Sequence, residues 1–302
     1  MLALQDEYDC TFSVVDLHAM TTPYDKATLK DNVRNVILDY LGAGLDPKKC
    51  RLEIQSQIPQ HTELSFLLAT LYPLAPLEDL PTFKEKKAQY PKNITTALLY
   101  YPILMAADVL LYKGELVPVG IDQEPHLEVM REVARKFNSL YGETFPEPKR
   151  FKTMGEYVPS LTGTGKMSKT VEGSFINLAD DLETIKKKLA KVTTDSGTTG
   201  GQLPKTGGVV SLFTLLALFN KNDMHKKFKE DYEKGVIRYG EMKNYLAEAI
   251  SEELRPIQEK RKYYEEHPEI VDAIIAESRE QCLVIAEQTM KEVKEKMGLP
   301  LF

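Results

Sequence analysis

Leu98-Leu99-Tyr100-Tyr101-Pro102-Ile103-Leu104-Met105-Ala106-Ala107-Asp108-Val109-Leu110-Leu111-Tyr112, followed shortly by Glu115-Leu116-Val117-Pro118-Val119-Gly120, decides the fold. The first run is apolar almost all round and predicts a buried helix over about 102–112, with Pro102 in the first turn, where its missing N–H costs nothing. The second reads as a short strand closed by Gly120. The same alternation recurs upstream. Thr11-Phe12-Ser13-Val14-Val15 reads as a strand ending at Asp16, and Arg51-Leu52-Glu53-Ile54-Gln55 as another. Between them Leu29, Val33, Val36, Ile37, Tyr40 and Leu41 keep helical spacing until Gly42 and Gly44. Past Pro59 a further helix carries Leu64, Phe66, Leu67 and Leu68. Strands alternating with helices predict an α/β fold with a doubly wound parallel sheet. Ligands collect at the carboxyl ends of such strands, where Asp16–His18 and Gly120–Gln123 lie.

After about residue 178 the strand signals stop. Leu182 to Val192 predicts a basic amphipathic helix bearing Lys186, Lys187, Lys188 and Lys191. Thr193 to Gly208 is a Gly/Thr-rich loop, and helical patterns dominate from Val209 to Met297, with breaks expected near Asn222–Asp223, Gly235, Gly240 and Pro268. The expected division is an α/β domain over 1–178 and an all-α domain over 179–302. The 302 residues suit two domains. Hydrophobic residues at 42% and charged residues at 28% are ordinary for a globular chain and exclude wholesale disorder. A net charge of −6 excludes attachment to nucleic acid by global charge, though not a local basic face. The apolar stretch Val209–Phe219 is shorter than the roughly 20 residues that span a bilayer. Cys10, Cys50 and Cys282 never form a CxxC pair and predict buried free thiols in a reducing, cytosolic setting.

Three stretches carry candidate chemistry. On the apolar helix, Tyr101, Met105 and Asp108 fall at i, i+4 and i+7, on one face. A carboxylate there needs a partner. Either Asp108 bridges neighbouring backbone N–H groups, or it is the single acceptor in an apolar pocket for a flat ligand with one buried donor. Gly120-Ile121-Asp122-Gln123 is either a plain turn with a capping acid or a place where backbone and carboxylate approach ribose hydroxyls or a ligand amine. Gly163-Thr164-Gly165-Lys166-Met167-Ser168-Lys169-Thr170 holds two lysines three apart. It is not a Walker A loop, because Ser160 and Met167 stand where Gly and Ser/Thr are required. It is a solvated turn or a loop that closes over a polyphosphate. His18 alone reads as structural, and His61, His225 and His267 as surface or capping residues. No two histidines have metal-ligand spacing, so no metal site is expected.

Met105-Ala106-Ala107-Asp108, Val117-Pro118-Val119-Gly120-x-Asp122-Gln123-x-x-His126 and Lys166-Met167-Ser168-Lys169-Thr170 together resemble the class I aminoacyl-tRNA synthetases, and within them the bacterial tryptophanyl type. Val15–Thr21 and Val192–Ser196 are similar to family segments as well, so the likeness spans essentially the whole chain. It implies a Rossmann-like catalytic domain followed by a helical anticodon-binding domain. It implies that Asp108 accepts an indole N–H and Met105 packs on the ring. Tyr101 and Gln123 hold the α-amino end, His18 lies at the pocket rim, and Val117 and Val119 line the pocket. Gly120 and Asp122 face ATP, and Val158 lies against adenine. Lys166 and Lys169, with Met167 and Ser168 between them, meet the phosphates and act in catalysis. Implied reactants are L-tryptophan, ATP with Mg2+, and tRNA(Trp), used by a cytoplasmic homodimer.

Two departures accompany the resemblance. The family's HIGH-like turn has no counterpart, since no His-x-Gly-His or Thr-x-Gly-Asn occurs and the chain starts inside what would be the following helix. A truncated start, or a relative that only binds nucleotide or tRNA, is therefore the alternative to an active ligase. Pro125 stands where the family usually has another residue. A tyrosyl-tRNA synthetase is the other alternative, although a polar residue would then be expected in place of Met105.

Overall fold

In a computed structural model, residues 2–151, 158–168, 171–198, 200–219 and 223–301 are described. Cys10–Val14 forms β1 and Cys50–Ile54 forms β2. They pair in parallel, Cys10 opposite Cys50 and Val14 opposite Ile54. A parallel pair needs a crossover, supplied here by α1 (Asp16–Ala19) and α2 (Leu29–Ala43). Ile37, Leu38 and Leu41 of α2 pack with Val14 of β1 and Leu52 of β2, and Val271 and Ile275 of the last helix join them. After β2 come α3 (Gln60–Ala69), α4 (Leu74–Asp79), α5 (Pro81–Gln89) and α6 (Thr96–Leu110). A second parallel pair, β3 (Leu116–Val117) and β4 (Lys149–Arg150), is joined through α7 (Glu124–Tyr141).

Both pairs follow the Rossmann-like rule of parallel strands connected through helices. Among the described residues only helices and loops follow β4, apart from an isolated bridge. These helices are α8 (Leu182–Ala190), α9 (Gly208–Leu218), α10 (Met224–Glu233), α11 (Tyr239–Glu266) and α12 (Pro268–Met297).

Several expectations need correcting. The apolar helix begins at Thr96, six residues before Pro102, because the Thr95 hydroxyl accepts the Leu98 N–H and caps the start. Pro102 therefore lies inside the helix. β3 stops at Val117 because Pro118 has no N–H for the ladder. Gly240 lies within α11 rather than breaking it. Pro125 sits in the first turn of α7, where proline is well tolerated. Cys50 and Cys282 are buried, but Cys10 is only half-buried.

The chain also divides differently from the boundary at 178. One compact unit comprises Met1–Thr153 and Tyr264–Phe302, the other Met154–Tyr263. α12 belongs to the first unit for a plain reason. Its Cys282, Ala286, Met290 and Val293 complete the core formed by Leu64 and Leu68 of α3, Ile103 and Ala107 of α6, and Val133 and Phe137 of α7. Ser278 of α12 also accepts the buried backbone N–H of Leu52 at 2.6 Å, so one backbone donor of β2 is satisfied by a helix hydroxyl. In the second unit, Ile185 and Leu189 of α8 pack with Leu212 and Leu216 of α9, Phe228 of α10, and Leu246 and Ile250 of α11.

Candidate functional site

The carboxyl ends of β1 and β2 and the middle of α6 converge on Asp108. Its Oδ2 lies 2.8 Å from His18 Nε2, and its Oδ1 accepts Gln55 Nε2 at 2.7 Å. His61 Nδ1 is 2.8 Å from the same Oδ1, a charge contact outside hydrogen-bond geometry. Burial pushes the Asp108 carboxyl up, but His18 and His61 outweigh it and hold the group below its ordinary value. Asp108 thus takes its partners from side chains, not from the neighbouring backbone. A carboxylate has room for about four donors, so these partners leave acceptor capacity for a ligand.

His61 overturns its reading as a surface or capping residue: it is 0% exposed. Nε2 lies 2.9 Å from Glu53 Oε1, and Glu53 is itself fully buried. The Tyr112 hydroxyl donates to the other Glu53 oxygen. Burial pushes the His61 imidazole down, yet Asp108 and Glu53 raise it to about 9. Gln55 also accepts the Leu17 N–H at 3.2 Å, fixing α1 and with it His18.

One turn earlier on α6, the Tyr101 hydroxyl bonds Thr82 Oγ1 and His126 Nε2, each at 2.8 Å. Thr82 Oγ1 and His126 Nε2 lie 3.0 Å apart, closing a three-membered set. Tyr101 and His18 meet edge to face with ring centroids 6.2 Å apart. Burial raises the Tyr101 phenol and lowers the His126 imidazole, which keeps both neutral near pH 7. Met105, Val117 and Val119 are half-buried and pack on the same core. Asp122 and Gln123 occupy a 3-10 turn, with Gln123 Nε2 donating to Asp122 Oδ2 at 2.9 Å. A Cβ on Gly120 would sit 2.5 Å from Asp122 Oδ1, so a side chain there would turn the exposed Asp122 carboxylate aside.

The Lys166 loop belongs to the second unit. Met167 N–H donates to the Val158 carbonyl at 2.8 Å and Ser160 N–H to that of Gly165 at 3.0 Å, so residues 158–167 form a tight hairpin. Val158 and Met167 anchor it on the apolar core, Ser168 is tied to Ser174, and Lys166 is exposed on the returning arm opposite Pro159. Gly163 has φ +83°, and a Cβ there would meet Gly208 N at 2.6 Å. Lys169 lies outside the described residues. On α8, Lys188 pairs with Asp180 and Lys186 with Glu183, so these two are not bare cations. Asp195, in the Val192–Ser196 segment, accepts the Tyr239 hydroxyl at 2.9 Å.

Sequence reasoning did not select Glu53, Gln55, His61, Thr82 or His126 for the site. A signal existed for the first two. Glu53 lies in β2 between Leu52 and Ile54 and Gln55 directly follows its end, and polar residues beside buried apolar ones need partners.

The sequence matches the tRNA synthetases class I (W and Y) over residues 1–255. It is 42% identical over 306 residues to the tryptophan–tRNA ligase of Caldanaerobacter subterraneus subsp. tengcongensis, covering 99% of this chain and 91% of that one. Its structure resembles the Campylobacter jejuni tryptophanyl-tRNA synthetase solved with ADP and tryptophan, with TM-score 0.85, 31% identity, and 99% and 92% of the two chains covered. An Aeropyrum pernix tyrosyl-tRNA synthetase shares the fold at TM-score 0.66 and 18% identity, with 94% and 82% covered. On the length of the match and these identities, the chain belongs to the class I tRNA synthetases of the tryptophan and tyrosine group.

Proposed function

We propose that the protein is a tryptophan–tRNA ligase, which joins L-tryptophan to ATP as tryptophanyl-adenylate and passes the aminoacyl group to tRNA(Trp). The observation that carries this reading is Asp108: an ionised, largely buried carboxylate held by His18 and Gln55 on a helix that also presents Met105. An indole offers one N–H and a flat apolar body, which suits one acceptor among apolar walls. A phenol needs a partner for its hydroxyl as donor and acceptor, and Met105 supplies neither well.

In the first step the tryptophan carboxylate attacks the α-phosphorus of ATP, and pyrophosphate leaves. Tyr101 and Gln123 hold the α-amino end, while His18, Val117 and Val119 complete the amino-acid pocket. Gly120 and Asp122 face the nucleotide, and Val158 lies against adenine. Lys166 and Lys169, on the loop with Met167 and Ser168, offset the charge that grows on the leaving pyrophosphate. The contribution of the protein is positioning and charge stabilisation.

Mg2+ enters as part of the nucleotide substrate, bound through its phosphates. Among the described residues no group of three or more His, Cys, Asp and Glu is arranged to hold a metal ion. The helices of the second unit meet the anticodon. The working form is a cytoplasmic homodimer. Exposed Phe66 on α3 and Leu74 on α4 provide apolar surface for such contact, and no described helix is long and apolar enough to cross a membrane.

Competition binding of tryptophan, tyrosine and phenylalanine, followed by ATP–pyrophosphate exchange and charging of tRNA(Trp), tests the reading. Preferential tryptophan binding with tryptophan-dependent exchange is expected. Equal use of tyrosine refutes the choice of amino acid. Tryptophan binding without exchange assigns the chain to binding alone.

A further inference from the structure

Behind the pocket residues of α6 lies a second set of ionisable groups that the proposed chemistry does not use. Glu53 of β2 and His61 of α3 are both 0% exposed. His61 stands between two carboxylates, 2.9 Å from Glu53 through Nε2 and 2.8 Å from Asp108 through Nδ1. The other groups around this set are Tyr112, whose ring is 5.6 Å from that of His61, and His18 of α1 on the far oxygen of Asp108. Cys282 of α12 lies near Glu53, and burial pushes its thiol up to about 12, so it stays neutral. Arg51, next to Leu52 on β2, is turned to Thr11 and Asp9.

Two buried carboxylates on either side of one ring are not both ionised unless the ring between them is positive. A neutral imidazole brings no charge to balance two carboxylates, whereas an imidazolium sets a positive ring 2.9 Å from Glu53 and 2.8 Å from Asp108. We propose that Glu53 and His61 are positioning residues for amino-acid recognition: His61, kept as an imidazolium by Glu53, holds Asp108 ionised and therefore an acceptor for the ligand's indole N–H. Were Asp108 protonated, it would present an O–H to an N–H donor and the match would fail. The inference rests on the tryptophan reading of the pocket. The elevated imidazole and depressed carboxyl described above agree with it.

Tryptophan binding to the whole chain by equilibrium dialysis between pH 6 and pH 9 is the test, and it needs no catalytic turnover. The parent should bind equally across pH 6–8. His61→Gln keeps a donor but removes the charge, so Asp108 takes up a proton. Its Kd should rise about tenfold or more at pH 7 and fall again toward pH 9, by up to roughly tenfold per pH unit. Asp108→Asn should bind weakly at every pH. A His61→Gln profile as flat as that of the parent, with Asp108→Asn impaired, overturns the positioning role and leaves the tryptophan reading standing. Parent-like binding by Asp108→Asn overturns both. Should His61→Gln not fold, the His61 ring is titrated by NMR in the parent and in Glu53→Gln. A midpoint lower by about one pH unit or more in the variant, a tenfold change in the proton equilibrium, is expected, and an unmoved midpoint overturns the proposal.

Discussion

Ser278→Ala probes a hydrogen bond that ties α12 to a backbone donor of β2. Ser278 is 5% exposed, and its Oγ accepts the N–H of Leu52, a residue with no exposed surface. Deleting the hydroxyl removes few packing contacts and orphans a buried N–H, at a cost of about 1–3 kcal/mol. Alanine is the better helix former, which returns about 0.5 kcal/mol inside α12. The net loss should be about 0.5–2.5 kcal/mol, or roughly 2–4 °C in Tm for each kcal/mol in a unit of this size. Urea unfolding with linear extrapolation measures it. Hydrogen exchange at Leu52 gives the local view, and its amide should lose protection more than its neighbours. A variant within about 0.5 kcal/mol of the parent, the range of an uninvolved surface site, would refute the reasoning, because the Leu52 N–H would then have another partner.

Stability should also follow the charge of His61. Its pKa rises from 6.5 to about 9 on folding, so its contribution is complete below pH 6.5 and disappears as pH climbs through 9. At about 1.4 kcal/mol per pH unit this amounts to about 3 kcal/mol. His61→Gln should flatten that part of a urea-unfolding series from pH 6 to pH 10. Tyr101→Phe leaves Thr82 and His126 bonded to one another, so stability should fall by less than about 1 kcal/mol. Its tryptophan affinity in a dialysis assay should drop about fivefold. On the proposed reading, Lys166→Ala should slow ATP–pyrophosphate exchange by about 10²-fold while tryptophan affinity stays unchanged, since the charge of a leaving pyrophosphate grows in the transition state. Gly163→Ala places a methyl group against the backbone of Gly208 in a left-handed conformation. It should lower the melting temperature of the second unit and cost about 1–3 kcal/mol.

Local periodicity made β1, β2, α2, the body of α6 and α8 legible. The face shared by Tyr101, Met105 and Asp108 was legible for the same reason, because helical spacing is a property of adjacent residues. What the sequence hid was non-local. His61 reads as polar and dispensable until Glu53, eight residues back, and Asp108, on another helix, are folded onto it. Thr82 and His126 were hidden likewise, since they meet only at the Tyr101 hydroxyl. The early start of α6 lay in one hydroxyl, that of Thr95, and proline chemistry misdirected the reading toward Pro102. β4 has two residues, too few for any alternation to show.

The first unit is built from both ends of the chain, with Met154–Tyr263 inserted between its parts. A ribosome makes the strand ends, α6 and the Asp108 cluster early, but makes α12 only after the inserted unit. Until Ser278, Cys282 and Met290 emerge, the Leu52 N–H lacks its acceptor and the core of α3, α6 and α7 lacks one wall. The nascent first unit therefore waits, exposing apolar surface, while the inserted unit has all of its own residues and is free to fold first. A message cut short within α12 yields a protein whose second unit has all its residues and whose α3, α6 and α7 lack one wall of their core.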